Sequence, residues 1–545
     1  MGAQNPTFAQ ALVSANYISG QTAAALDGTA TVADGGEITY QWQSSIDGRT
    51  WTNIHGATQA TYTPDISSAG RRFYRVQATN TLTVYTGLYP DEALYPADDL
   101  YPEEIITKYR AAAHSSTARI YVEARPWTEA EKLRDYMKQL RTPFTKLCRL
   151  RFLQPDGSTA FALDNNPNNS RSGAFIRDGS ITVNLQNGTR RTATVTLANL
   201  DAQFDYNVNK VWFGQQIALD EGLVLSNGED YYIQQGVFYI ETPTETVVPA
   251  NRTVSYPLTD KWAYLDGTLF GSLESTYEVA AGTNIFAPIS AILALDRGNG
   301  LPVDSTAPVF TEYYNGKTQT LPDGTTASLT DAPYTLTIDN EDGAYADVAL
   351  GLAGMINGWI GYDQTGALRI DPSQDDILDT NKPVQWQFSM EEAQILGATY
   401  QIRNTEVYND YIIVGEALSG YAVPAGRATN LDPQSDTNIY TSLGRRTKRL
   451  SASGYYTTTQ CTDLAVWKLK RAAVLQKAVT VSCSQLFHIS ENNLITIVRT
   501  DKPGAPVERH LIQGFTRPLS GNGEMTINCV SVQDFPNATV TSWPE

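Results

Sequence analysis

Between residues 180 and 197 the chain alternates apolar and polar positions twice. SITVNL (180–185) sets Ile181, Val183 and Leu185 on one face, and TATVTL (192–197) does the same with Ala193, Val195 and Leu197. A period of two is the signature of a half-buried strand, and the intervening Asn187-Gly188 is a hairpin turn signal. Further strands are predicted at 216–219, 231–233 and 237–241, so this region reads as a small barrel or sandwich. Later strands are predicted at 411–414, 479–483, 494–498, 510–513 and 525–532. Helical spacing appears at 285–295 and 345–356. Thr128 and Glu131 form a capping-box pattern that opens a helix to about Leu140. Thr462 is a candidate cap for a helix over 462–476, with Ala465, Leu469 and Ala472 on one stripe. The pattern predicts a mostly β chain with α+β parts.

The N-terminal segment has its own grammar. Tyr40 and Trp42 share a strand face, Asp47-Gly48 is a turn, and a second short strand follows at Trp51. Phe73 to Ala78 alternates again, with Tyr74 two residues before the core position Val76. A core Trp and a Tyr at that offset resemble the immunoglobulin-like sandwich, with Val76 where antibody domains carry Cys. Residues 1–86 are therefore expected to form a disulfide-free Ig-like domain.

Leu88-Tyr89-Pro90, Leu94-Tyr95-Pro96 and Leu100-Tyr101-Pro102 then recur every six residues among six carboxylates. Proline removes a regular helix and biases its predecessor to extended geometry, and like charges stretch the chain. Residues 87–110 read as an acidic linker. It is either a plain spacer or a strap that pins Leu88, Tyr89, Leu94, Tyr95, Leu100 and Tyr101 on a neighbouring surface.

Charge narrows the function classes. The chain has 545 residues, a net charge of −18 and a pI near 4.7, so general electrostatic binding of nucleic acid is disfavoured. The four cysteines form no CxxC pair, and four histidines leave little material for a metal site or a triad. Few cysteines and no signal-peptide pattern at the N-terminus predict folding in a reducing compartment, and no run of apolar residues is long enough to span a membrane. No nucleophile elbow, zinc-protease motif, phosphate loop or dinucleotide fingerprint occurs. Residues 339–350 imitate a calcium loop but place Ala344 and Leu350 where glycine and the closing carboxylate belong. Carboxylate pairs such as Asp201 and Asp205 are too common in so acidic a chain to indicate a glycosidase. No catalytic residue and no cofactor are expected.

One basic run interrupts the acidic chain: Arg445, Arg446, Lys448 and Arg449, followed by Lys468, Lys470 and Arg471. A charged seam against another acidic subunit is the preferred reading, with nucleic-acid binding and a solvated face as alternatives. Trp51, if exposed, is a candidate sugar platform, with core packing as the plainer account.

Several segments carry a family resemblance. FIRDGSITV (175–183), ANLDAQF (198–204), WFGQQI (212–217) and QGVFYI (235–240) resemble a recurrent layout of bacteriophage tail hub proteins. DKWAYLD (260–266), GYDQTG (361–366), LIQGF (511–515), RPL (517–519) and GEMTI (523–527) are similar to later segments of the same family. The resemblance spans roughly residues 110–535 and is to hubs with the fold of the T4 baseplate hub.

It implies two β-barrel domains joined by α+β parts. A first barrel is expected at 111–265, an α+β region at 266–400 and a second barrel at 401–545. It further implies a non-enzymatic, trimeric ring at the virion tail tip, assembled in the bacterial cytoplasm, that adapts symmetry, closes the channel and supports attachment and genome delivery. The chain ends soon after the last hub-like strand, which argues against the lysin activity of some relatives. Implied partners are other copies of the chain, a distal tail or tail tube protein, the tape measure protein, and a tail fibre or receptor-binding protein. A host surface glycan on the Ig-like domain, and DNA only in transit, complete the set. The rival readings are a bacterial surface adhesin or glycan-binding protein with an Ig-like tip, a glycan-degrading enzyme, and the hexameric distal tail ring protein.

Overall fold

The computed structural model describes residues 2–86, 105–166, 176–199, 204, 211, 214–248, 251–372, 382–391, 394–402, 407–452, 454–473, 477–519, 521, 523–532 and 538–540. The chain divides into two compact units, residues 1–131 and 132–545.

In the first unit, Gly70–Thr86 is the long strand around which the rest assembles. It pairs with Glu37–Ser45 on one side, and with Ile105–His114 and Ala118–Glu123 on the other. Ala15–Ile18 adds in parallel to Ala118–Glu123. Trp42 is fully buried and donates from Nε1 to Gln59 O at 2.9 Å, so its one polar atom is satisfied inside the core. Tyr74 and Val76 pack beside it, on the face set by the period of two. Val76 stands opposite Trp42 in the register, which gives the position an aliphatic partner in place of a disulfide. The Thr128–Glu131 capping box forms as the sequence predicts. Glu131 N donates to Thr128 Oγ1 at 3.3 Å and Thr128 N to Glu131 Oε2 at 2.8 Å, and they open the helix Glu129–Gln139.

The second unit is dominated by one sheet of fourteen strands. Its path runs through Thr159–Asp164, Lys146–Leu153, Gln216–Val224, Asp230–Ile240, Asn251–Asp260, Arg191–Ala198 and Ile176–Asn184. It continues through Val507–Pro518, Met525–Val532, Lys477–Cys483 and Ile395–Ile402. The expected pair of β-barrels is not what forms, because no sheet closes among the described residues. Closure would require the outer side of Ile176–Asn184 to return to its own half of the chain. That side is occupied by Val507–Pro518, in register from Ser180 opposite Pro518 to Asn184 opposite Gly514. The two halves therefore share one open sheet, whose path ends at Thr159–Asp164 and Ile395–Ile402. Gly514 permits this pairing, since a Cβ there would stand 2.5 Å from Val183 O.

The helices sit where the 3.6-residue spacing puts them. Phe286–Leu293 and Tyr345–Met355 bury Ile289, Ile292, Val348 and Leu352 against the strands Gly358–Tyr362 and Leu368–Pro372. The third helix runs over Thr458–Ala473 and begins earlier than Thr462. The reason is a capping box at Thr457 and Gln460, whose backbone N–H groups and side-chain oxygens bond reciprocally at 3.1 Å. The expected continuation over 474–476 lies outside the described residues. Cys461, Ala465 and Leu469 are fully buried against a four-stranded sheet in the order Thr447–Ser451, Asp410–Val414, Ala425–Asn430, Ala538–Val540.

Candidate functional site

A lattice of buried charges lies where the two halves of the large sheet join. Arg191 is in phase with Ala193, Val195 and Leu197, and Lys146 with Cys148, Leu150 and Phe152. Arg517 is likewise in phase with Phe515 and Leu519, so all three cations point inward and are buried. Glu221 answers two of them. It accepts from Arg517 Nε at 2.8 Å and from Arg517 Nη2, and it pairs with Lys146 Nζ at 3.0 Å. Burial alone would raise the Glu221 pKa, but Arg517 and Lys146 outweigh it and hold it below the ordinary carboxylate value. Burial draws the Lys146 ammonium down, with Glu221 opposing.

Gln235 ties the lattice together, and a register shift explains how it gets there. Leu219 faces Gly236 and Asp220 faces Gln234, so Gln235 is the extra residue of a β-bulge. A bulge re-aims a side chain out of the normal alternation. Gln235 is fully buried, accepts from Arg517 Nη2 at Oε1 (2.7 Å) and donates from Nε2 to Phe487 O (2.8 Å). Its carbonyl accepts from Arg191 Nη1 at 2.7 Å, and Arg191 also pairs with Glu491. The same bulge merges the two short strands expected at 231–233 and 237–241 into Asp230–Ile240.

The DKW segment supplies two more buried contacts. Asp260 accepts from the backbone N–H groups of Arg190 (2.8 Å), Arg191 (3.0 Å) and Trp262 (3.1 Å), which caps the short turn Lys261–Tyr264. Burial is strong enough to push its pKa up to about 6 despite those donors. Lys261 Nζ donates to both oxygens of Asp304 at 2.6 and 2.7 Å. Pattern reading missed this lattice. The available signal was a charged residue at an inward phase of an alternating strand, as at Arg191 and Arg517.

The basic run lies apart from the lattice. Lys448 and Arg449 are on Thr447–Ser451, the edge strand of the small sheet, and Arg445 and Arg446 lead into it. Thr447 Oγ1 donates to Asp410 at 2.7 Å, and Asp410 also takes a two-point contact from Arg427 at 3.0 and 2.9 Å. Arg446 and Lys448 lie over the Tyr408 ring at 5.7 and 4.7 Å, an aromatic that is distant in sequence. Lys468 lies 4.8 Å from the Trp467 ring centroid. Leu88, Tyr89, Leu94, Tyr95, Leu100 and Tyr101 lie outside the described residues, as do Phe175, Leu200, Asp201, Asp205, Trp212 and Phe213.

Trp51 is half-buried, and the Arg75 guanidinium covers its ring at 4.3 Å, so one face of the candidate sugar platform is occupied. All four cysteines are free and buried. Burial pushes the Cys461 and Cys483 thiols up to about 11 and about 12, away from the reactive thiolate. Among the described residues no group of three or more His, Cys, Asp or Glu is arranged to hold a metal, and no helix is long and apolar enough to cross a membrane.

A family model described as a domain of unknown function (DUF8696) matches residues 10–86. No curated protein matches the chain. Among solved structures, the chain is similar to the tail protein from Neisseria meningitidis MC58, at 11% identity and a TM-score of 0.45, over 72% of this chain and 97% of that one. It is also similar to the 43 kDa tail protein of prophage MuSo2 from Shewanella oneidensis, at 11% identity and a TM-score of 0.45, over 70% and 98% of the two chains. A third similar structure is prophage tail protein gp18 from Listeria monocytogenes EGD-e, at 10% identity and a TM-score of 0.42, over 70% and 94%.

Proposed function

We propose that this chain is a non-enzymatic structural hub protein at the tail tip of a tailed bacteriophage or prophage. One observation carries the reading. Segments that resemble the hub layout, at 176–183, 216–217, 235–240, 511–518 and 525–527, lie in one sheet. Ile176–Asn184 pairs with Val507–Pro518, and Met525–Val532 pairs with the latter. The GYDQTG turn follows a strand that meets the Asn187-Gly188 hairpin, where Ile360 N donates to Asn187 Oδ1 at 3.0 Å and Gly188 N to Ile360 O at 3.0 Å. A polar lattice buried at the join is fitted to hold one fixed geometry, which a ring subunit requires.

In this reading three copies form a ring beneath the tail tube, adapt its symmetry and close the channel. The basic edge at 445–449 meets an acidic neighbour, and the acidic balance keeps DNA in transit from adhering. The N-terminal unit is an Ig-like module for attachment, and the LYP segment is a strap. The deciding experiment is immunogold labelling of phage particles and host cells, followed by symmetry averaging of the labelled tip. Label at the distal tail end with threefold density is expected. Sixfold density would assign the chain to the distal tail ring, and label confined to bacterial surfaces would replace the hub with an adhesin.

A further inference from the structure

The six-stranded sheet of the first unit has a solvent face opposite its core. Trp42, Tyr74, Val76, Ile120 and Val122 are buried, so the alternate positions of Glu37–Ser45, Gly70–Thr86 and Ala118–Glu123 point the other way. Ile105–His114 takes the same phase through its register with Gly70–Thr86.

The charges on these strands are one-sided. They carry Arg71, Arg72, Arg75, Lys108, Arg110 and Arg119 against Glu37 and Glu123, in a chain whose net charge is −18. All of the cations but Arg72 fall on the solvent face. Along Gly70–Thr86, Arg71 stands opposite Tyr121, Arg119 opposite Phe73, Arg75 opposite Gln43, Arg110 opposite Thr81 and Lys108 opposite Thr83. Opposed residues share a side of the sheet, so these cations follow one line from position 71 to position 83, about 40 Å at about 3.3 Å per residue. Arg119 is the diagonal neighbour of both Arg71 and Arg75, and like charges at that spacing oppose the sheet. Arg71, Lys108, Arg110 and Arg119 are exposed, and none of them pairs with a carboxylate among the described residues. Gln77, Thr79 and His114 fill the gap between Arg75 and Arg110 with hydrogen-bonding groups.

We infer that this face binds a linear acidic polysaccharide, whose carboxylates accept from the line of cations and whose hydroxyls bond the polar gap. The inference deepens the attachment role proposed for this unit and rests on it. The rings disfavour single-stranded nucleic acid, which uses successive stacked aromatics. Arg75 lies over Trp51 at 4.3 Å and Arg71 over Phe73 at 5.3 Å, so both rings already carry a cation. Tyr121, 41% exposed beside Arg71, leaves one ring to seat a sugar.

The test is titration of the full chain, by biolayer interferometry, with polygalacturonate, its fully methyl-esterified neutral form and an oligothymidylate. Saturable binding of polygalacturonate is expected, falling steeply with salt, with the neutral form weaker by about tenfold or more. Arg71→Thr with Arg119→Thr, and Lys108→Thr with Arg110→Thr, change exposed strand positions to a residue that suits a strand, and each pair is expected to lose about tenfold. Tyr121→Thr is expected to lose about threefold at unchanged charge. The inference is overturned by no saturable binding of polygalacturonate, by equal binding of the neutral form, by undiminished binding in either double variant or in Tyr121→Thr, or by tighter binding of the oligothymidylate. Labelling of the tail tip does not depend on these titrations, so failure here leaves the hub reading standing, whereas label confined to bacterial surfaces removes the hub and leaves the polysaccharide site to be judged by its own binding.

Discussion

Glu221→Gln probes the join of the large sheet most directly. The substitution keeps the side-chain shape and removes the charge that serves two buried cations. Arg517, fully buried, loses the carboxylate that faces its Nε and Nη2, and Lys146 Nζ loses an anion at 3.0 Å. The amide also turns a donor toward one of them. Breaking a buried pair by removing one partner costs about 3–5 kcal/mol, chiefly because the other charge stays buried and unanswered. The triple replacement Glu221→Leu, Arg517→Met and Lys146→Met removes every charge together and is expected to cost far less, about 1 kcal/mol or none. Urea unfolding read by hydrogen-exchange mass spectrometry separates the two units and reports Gln216–Val224 and Val507–Pro518 individually. Both strands should lose protection together in Glu221→Gln. A loss below about 1 kcal/mol in that variant, or an equal loss in the triple replacement, would refute the view that this charge lattice couples the two halves.

Three further outcomes are expected. His488 is half-buried and neutral, with Nε2 donating to Gln385 O at 3.2 Å and Nδ1 accepting from Tyr136 Oη at 3.1 Å, and desolvation of its ring lowers its pKa from 6.5 to about 4. The unfolded state then binds more protons between pH 6.5 and 4, so stability falls as pH drops through that window, by up to about 3 kcal/mol; the pH dependence of wild type minus His488→Gln, from thermal melts, should carry that slope. Gly514→Ala drives a Cβ against Val183 O and should destabilise by about 2 kcal/mol, whereas Gly397→Ala, with open space at its Cβ, should be neutral within about 0.5 kcal/mol; comparable midpoints in urea would contradict the close-approach account. Lys448→Glu combined with Arg449→Glu should weaken self-association about tenfold or more in sedimentation without changing circular dichroism, and unchanged association would remove the basic edge from the assembly surface.

The sequence by itself determined the local elements. Period-two runs located the strands around Ile181 and Val195, the 3.6-residue spacing located the helices at 286–293 and 345–355, and the Thr128–Glu131 capping box fixed a helix start. These are short-range effects, set by backbone geometry and by which side chains must leave water. Tertiary structure alone decided the pairing. Alternation says which face of a strand is inward, but every strand edge offers the same N–H and C=O groups. Nothing local in Ile176–Asn184 therefore names Val507–Pro518 as its neighbour, and a pattern compatible with two barrels resolved into one open sheet. The site followed the same division. Arg191 and Arg517 stand at inward phases of their strands, while their counter-charges, Glu491 for Arg191 and Glu221 for Arg517, are supplied only because residues hundreds of positions apart meet.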